Sequence, residues 1–419
     1  MRKTLRGRIL MPHQRGFQYL EDGLIHIEEG VIKRVEQTPP ESEYLTTHEG
    51  CVLMPAFTDS HIHFPQTMIC GSASGPLLTW LNTSTFPEEA KFAESAYARH
   101  VAQIFCKNVL RAGVSGVAAY SSAHKSATNE LFSALDGYGL KGLAGMVLMN
   151  RNAPDAILFD TEQAKEHMIE LVERWDGHDR QRLRYCVTPR FAISCDADMM
   201  TMAGRFALEH QLWLQTHVSE NKDEVEFTCS LYPESGTYLK IYRDFGMLHE
   251  RSIYAHCIYF DDEDWHLFSK SQAVVAHCPD SNFFLGSGCM NVRQAQHHGA
   301  RLSIGTDVGA GRSFSMRIAA ARAYDASLMV QNPFAPEEIL WAATIGGATE
   351  LGFNSEWSSG ADADIIAVES PRYEHKEQLI DHILFRHDEP NVAATYIRGE
   401  LCYQKTESGE WFKGAEDSL

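Results

Sequence analysis

The chain alternates apolar and polar residues at both ends and carries unbroken apolar runs in between. Gly23-Leu-Ile-His-Ile-Glu28 and Val31-Ile-Lys-Arg-Val35 alternate on either side of Glu29-Gly30, which predicts a hairpin with one face in water. Near the other end, Ala363-Asp-Ile-Ile-Ala-Val368 and Ala393-Ala-Thr-Tyr-Ile397 continue that style, the second turning at Arg398-Gly399 into Glu400-Leu-Cys-Tyr403. The two ends are therefore expected to build one small composite β-sandwich, residues 1–52 plus 360–419. The middle reads differently. Apolar runs of strand length at 53–58, 116–120, 142–148, 183–188, 212–217, 252–256, 273–277 and 302–307 are separated or followed by segments of helical period, such as 93–111, 162–175, 199–210, 314–329 and 336–344. Strands alternating with helices form a parallel sheet with the helices outside. Eight such runs fit an α/β fold, a closed (β/α)8 TIM-type barrel over residues 53–359.

Length agrees with that division, since 419 residues exceed what one ordinary core serves and suit a large barrel with an attachment. With 44% hydrophobic and 22% charged residues, the composition is that of a globular protein. No apolar run approaches bilayer length, and the basic start Met1-Arg-Lys-Thr-Leu-Arg6 lacks a signal-peptide core, so a cytoplasmic location without membrane partners is expected. A formal charge of −19 repels polyanions and argues against nucleic acid as a partner. The 10 cysteines include no Cys-x-x-Cys pair and are expected to be reduced.

In such a barrel, chemistry collects where the carboxyl ends of the strands converge. Reading those ends gives His61 and His63 after the first run, Arg190 after the fourth, His217 after the fifth, His256 after the sixth and Asp307 after the eighth. In an extended segment His61 and His63 share a face and can grip one ion. A lone histidine at a strand end is more often structural, and Asp307 in Ile304-Gly-Thr-Asp-Val-Gly309 could cap a turn. Together, imidazoles and a carboxylate make a ligand set suited to zinc or ferrous iron. Glu220, three residues past His217, is placed to shuttle protons beside a metal-activated water.

The set Pro55-Ala-Phe-Thr-Asp-Ser-His-x-His63, Thr216-His-Val-Ser-Glu220, Ala255-His-Cys257, Ala276-His-Cys-Pro-Asp-Ser-Asn282 and Gly305-Thr-Asp307 resembles the aminohydrolase branch of the amidohydrolase superfamily. Within that branch, Leu77-Leu-Thr-Trp-Leu-Asn82 with Thr85-Phe-Pro87, Met149-Asn-Arg-Asn-Ala-Pro154, Val187-Thr-Pro-Arg-Phe191 and Ser219-Glu-Asn-Lys-Asp-Glu-Val225 are similar to the guanine deaminase family. The resemblance implies one zinc per chain, with ferrous iron as the alternative ion, held by His61, His63, His217 and Asp307. It implies that Glu220, His256 and Asp307 are catalytic and that Gln66, Arg190 and Phe191 hold a purine base. Trp80, Leu81 and Phe86 would form an apolar wall, with core packing an equal reading. It further implies hydrolytic release of ammonia and a homodimer. His277, Asp280 and Asn282 match a motif taken as mainly structural, with bordering the pocket an open reading for Ser281 and Asn282.

Two departures bear on substrate contacts: Asn150 stands where some relatives carry an aspartate, and Asp280 where others have a small or amide residue. Alternatives on the same scaffold are an aminohydrolase of an oxidised purine, pterin or triazine, or a binuclear cyclic amidohydrolase. The last usually has a lysine at the end of strand four, where this chain reads Tyr185-Cys-Val-Thr-Pro-Arg190. A barrel that has lost its ligands and serves only to bind would not keep His61, His63, His217, His256 and Asp307 together.

Overall fold

A computed structural model describes residues 2–39, 46–386 and 392–414. The parts of the expected terminal unit at 1, 40–45, 387–391 and 415–419 lie outside the described residues. The two ends form one eight-stranded sheet in the order Gly409–Phe412, Glu400–Thr406, Val392–Ile397, Ile365–Glu369, Thr46–Pro55, Arg2–His13, Gly16–Glu28, Val31–Gln37. Neighbours are antiparallel except Arg2–His13 beside Thr46–Pro55. Both expected hairpin turns are present, with positive φ at Glu29 and Gly30 (53° and 84°) and at Arg398 and Gly399 (47° and 70°), the backbone that suits the twist of paired strands.

Alternation decides what each face of this sheet covers. Leu5, Ile9, Leu53, Ile365 and Ala367 point into a small core shared with Trp357. Leu10, Val52, Met54, Ile366 and Val368 point the other way into the large core around the barrel. Side chains of adjacent residues leave a strand on opposite faces, and here both faces are buried.

The barrel is a parallel sheet whose path runs Phe57–His63, Val114–Tyr120, Lys141–Gly145, Leu183–Pro189, Trp213–Val218, Ser252–His256, Val274–His277, Arg301–Ile304, with Val147–Leu148 pairing off this path. The ring closes between its first and last members just above the last strand, where the Asp307 N–H donates to the His61 carbonyl at 2.8 Å and the His63 N–H to the Val308 carbonyl at 2.9 Å. Small residues fill the interior, among them Ala118, Ala255, Ala276 and Cys278, and Phe353 plugs it from below. No helix among the described residues is long and apolar enough to cross a membrane, and the cysteines are unpaired.

Two expectations about strands need correction. The run at 53–58 is not one strand: Thr46–Pro55 belongs to the terminal sheet, and the first barrel strand is Phe57–His63. Pro55 and Phe57 are both buried, so a continuous apolar run gave no sign of the hand-over at Ala56, whose N–H donates to Asp364 while that of Phe57 donates to Gly113. His61 and His63 thus lie within their strand. Asp307, by contrast, lies three residues past Arg301–Ile304, in left-handed backbone at φ 52°.

Sheet and barrel are tied at the amino end of the barrel by Lys141, whose Nζ lies 2.8 Å from Asp362 and 2.5 Å from Asp364 with almost no exposure. Removing one member of a buried charge network strands the others, at a cost of roughly 3–5 kcal/mol. Lys141→Ala should therefore lower the thermal midpoint markedly, while Arg2→Ala, which breaks the exposed pair with Glu28, should leave it unchanged; differential scanning calorimetry reads both.

Candidate active site

The carboxyl mouth of the barrel gathers the expected residues into one buried cluster. His61 Nε2 lies 3.2 Å from His63 Nε2, which lies 3.2 Å from His217 Nε2. Asp307 Oδ1 is 3.3 Å from the Nε2 atoms of both His61 and His63. His256 joins from the sixth strand, its Nε2 3.9 Å from Asp307 Oδ2 and 3.4 Å from Glu220 Oε2. Every one of these side chains is buried. Tyr120, which sequence reasoning missed, backs the cluster with its ring centroid 4.5–4.9 Å from those of His63, His61 and His217.

Neighbouring hydrogen bonds fix which ring nitrogens face inward. His217 Nδ1 donates to the Arg190 carbonyl at 2.6 Å, and His256 Nδ1 donates to Asn282 Oδ1 at 2.9 Å. Each Nε2 is then left as a bare lone pair. Asn282, read from the sequence as mainly structural, is thus what orients His256. Gly305 allows the close approach, since a Cβ there would stand 2.7 Å from His61 Cβ.

These groups fit a metal ion. His256 Nε2 has no hydrogen-bond partner, and the Nε2 atoms of His61, His63 and His217 crowd one point beside the Asp307 carboxylate. Donors about 2.0–2.1 Å from a tetrahedral zinc stand roughly 3.3 Å from one another, which matches the 3.2–3.3 Å separations here. Two triplets can meet on a single ion, His61 with His63 and His217, and His61 with His256 and Asp307.

Burial and neighbours set the protons. Removal from water pushes His63 down to about 4 and His217 well below the ordinary imidazole value, where the nearby rings add to the effect. Glu220 is pushed well above the usual carboxyl range, first by burial and then by the charge of Asp307. At Asp307 burial acts in the same sense, but His61, His63 and His256 outweigh it and hold the carboxyl well below its ordinary value. Two carboxyls a short way apart are thereby driven in opposite directions, the pattern of an acid beside a base. Glu220 is held by Ser287, whose hydroxyl donates to its Oε1 at 3.3 Å, and its backbone N–H donates to Glu224 at 3.0 Å.

A small pocket lies over the cluster. Gln66, Arg190, Phe191, Trp80 and Leu81 line it with His63, His217, Glu220 and Asp307. Phe86 is not among the lining residues; its ring lies 5.4 Å from the Arg190 guanidinium. Glu89, unforeseen in the sequence, binds Gln66 and Arg190 together. His277 stays outside the cluster, buried with neither ring nitrogen bonded. Asp280 instead pairs with Arg312 in the loop past Asp307. Asn150 accepts the Asp196 N–H and does not line the pocket.

A parallel barrel with nitrogen and oxygen donors converging at its carboxyl mouth, and an acid–base pair beside them, defines a barrel hydrolase of the metal-dependent kind. The profile described as Amidohydrolase family matches residues 52–402, and the chain belongs to that family. It is 32% identical over 408 residues to a guanine deaminase of Escherichia coli, covering 93% of this chain and 92% of the relative. A guanine deaminase of Dictyostelium discoideum is 30% identical over 410 residues, covering 90% and 91%. Among solved structures, the guanine deaminase from C. acetobutylicum with bound guanine in its active site superposes with a TM-score of 0.91 at 28% identity, over 96% of this chain and 100% of that one.

The contact at Gly305 gives a direct check on the cluster. Gly305→Ala must push His61 aside, and metal affinity should fall about 10- to 100-fold, as when a supporting residue of a metal site is lost; competition with a chromophoric chelator measures it.

Proposed function

We propose that this enzyme hydrolyses guanine to xanthine and ammonia. The observation that carries the reading is a buried amide and guanidinium, Gln66 and Arg190, lining the same small pocket as Glu220 and Asp307. Guanine offers a ring carbonyl, ring nitrogens that donate and accept, and a flat apolar face. The guanidinium suits the carbonyl, the amide can both donate and accept, and Phe191, Trp80 and Leu81 supply apolar surface.

In this reading His61, His63, His217 and Asp307 hold one zinc ion, with ferrous iron the alternative. When bound, such an ion supplies a water whose pKa falls to about 7. The chain's own groups do the rest. Asp307, kept ionised by its neighbours, accepts a proton from the attacking water. Glu220, kept protonated by burial, gives its proton to the ring nitrogen next to the carbon that carries the exocyclic amine, so that carbon can become tetrahedral. His256, with its Nδ1 committed to Asn282, turns Nε2 toward the attacking water and orients it by accepting its hydrogen bond. Asp307 then passes its proton to the amine, Glu220 recovers one from the added hydroxyl as the carbon–nitrogen bond breaks, and water and guanine become xanthine and ammonia. A homodimer, on the strength of the family resemblance, and a cytoplasmic location, from the lack of a bilayer-length apolar run in the sequence, belong to the same proposal.

Metal-loaded protein incubated with guanine and with oxidised purines, pterins and triazines should release ammonia fastest from guanine, with one metal equivalent per chain. Another ring ranking far ahead would overturn the substrate, and two equivalents would favour a binuclear hydrolase. Glu220→Gln should keep its metal and lose about 10²- to 10⁴-fold in kcat; near-parental turnover would remove Glu220 from the mechanism.

A further inference from the structure

Glu89 ends the short helix Phe86–Glu89, away from any strand end. Two consecutive glutamates there have separate partners. Glu88 takes Lys91 at 2.6 Å and the Tyr97 hydroxyl, while Glu89 is 1% exposed and turns toward the pocket wall. One Glu89 oxygen accepts from Gln66 Nε2 at 3.1 Å and the other from Arg190 Nη1 at 2.6 Å. At its opposite end, Gln66 Oε1 accepts the Gly309 backbone N–H at 3.0 Å.

An amide without such neighbours could present either end to a ligand at little cost. Here an ionised carboxylate, which can only accept, faces the amide nitrogen, and a backbone N–H, which can only donate, faces the amide oxygen. Flipping Gln66 would set acceptor against acceptor and donor against donor out of water, where each unmade hydrogen bond is expensive. One N–H and one lone pair of the amide remain for a ligand, in a fixed order. The same carboxylate balances the charge of Arg190, so the guanidinium can meet a neutral carbonyl without drawing the pocket toward anions.

We propose that Glu89 is a specificity-determining positioning residue: acting through Gln66 and Arg190, it fixes the donor and acceptor pattern offered to the ring and selects a neutral purine bearing a ring carbonyl. This rests on the guanine reading above. Glu89 touches no reacting atom, so its removal should weaken binding of ground state and transition state alike.

The test is steady-state kinetics of the metal-loaded enzyme on guanine and on 2-aminopurine, which keeps the amine and lacks the ring carbonyl. Glu89→Gln preserves size while removing the charge and the acceptor-only face. KM for guanine should rise about 10- to 100-fold with kcat changed less than about threefold, and the kcat/KM preference for guanine over 2-aminopurine should fall at least about tenfold. In a Gln66→Ala background the same substitution should cost distinctly less, since the two act together. Glu88→Gln should alter neither constant. A Glu89→Gln enzyme with parental KM and parental preference, or effects that simply add to those of Gln66→Ala, would overturn the proposal. Should Glu89→Gln lose its fold or its metal, Glu89→Asp, which keeps the charge but is one methylene shorter, decides by the same preference: a fall supports the role and a parental value refutes it. A parent enzyme inert toward guanine would overturn the substrate reading and this role with it, and that result comes before any variant is made.

Discussion

Nitrogen and oxygen donors gathered out of water call for a shared positive charge, and the barrel mouth of this chain is arranged around that constraint. His63 Nε2 lies within hydrogen-bond distance of the Nε2 atoms of both His61 and His217, with Asp307 alongside. In a low-dielectric setting only a positive charge among them makes the arrangement favourable. The surrounding structure holds the groups there all the same. Arg190 and Asn282 fix two ring tautomers from outside, and the bonds that close the barrel join the backbone of the ligands themselves, His61 to Asp307 and His63 to Val308. Barrel closure and site assembly are the same event.

The backbone contributes strain as well as shape. Ser219, His256, Cys257 and Asp307 all adopt positive φ, a conformation that costs a residue with a side chain on the order of 1–2 kcal/mol. All four adjoin or are the acid, the imidazole and the base. The turn out of the strand at these points aims each side chain across the mouth, where a continued strand would carry it past.

How much of this the sequence disclosed depended on whether position along a strand decides position in space. His61, His63, His217 and His256 were legible because a parallel barrel brings all its strand ends to one rim, and Asp307 because it follows the last apolar run closely. Gln66, Arg190 and Phe191 came with the family resemblance. Glu89 was not legible: it lies on a connecting segment whose path is set by packing, and a glutamate beside another glutamate looks like solvated surface. Asn282 was visible but its partner was not, since the bond joins the end of the strand Ser252–His256 to the helix Pro279–Phe284 that follows the next strand. The hand-over at Ala56 was hidden because residues on both sides are fully buried, and burial erases the alternation that marks a strand's boundary.

That hand-over has a mechanical meaning. Thr46–Pro55 and Phe57–His63 are consecutive strands parted by one residue, the first paired with strands from both extremities of the polypeptide and the second carrying two imidazoles. Whatever loosens the outer sheet pulls through this junction directly on the pair that grips the ion. The peripheral unit is thus the anchor of the catalytic one, and the reactive centre is only as rigid as the attachment of the chain's own ends.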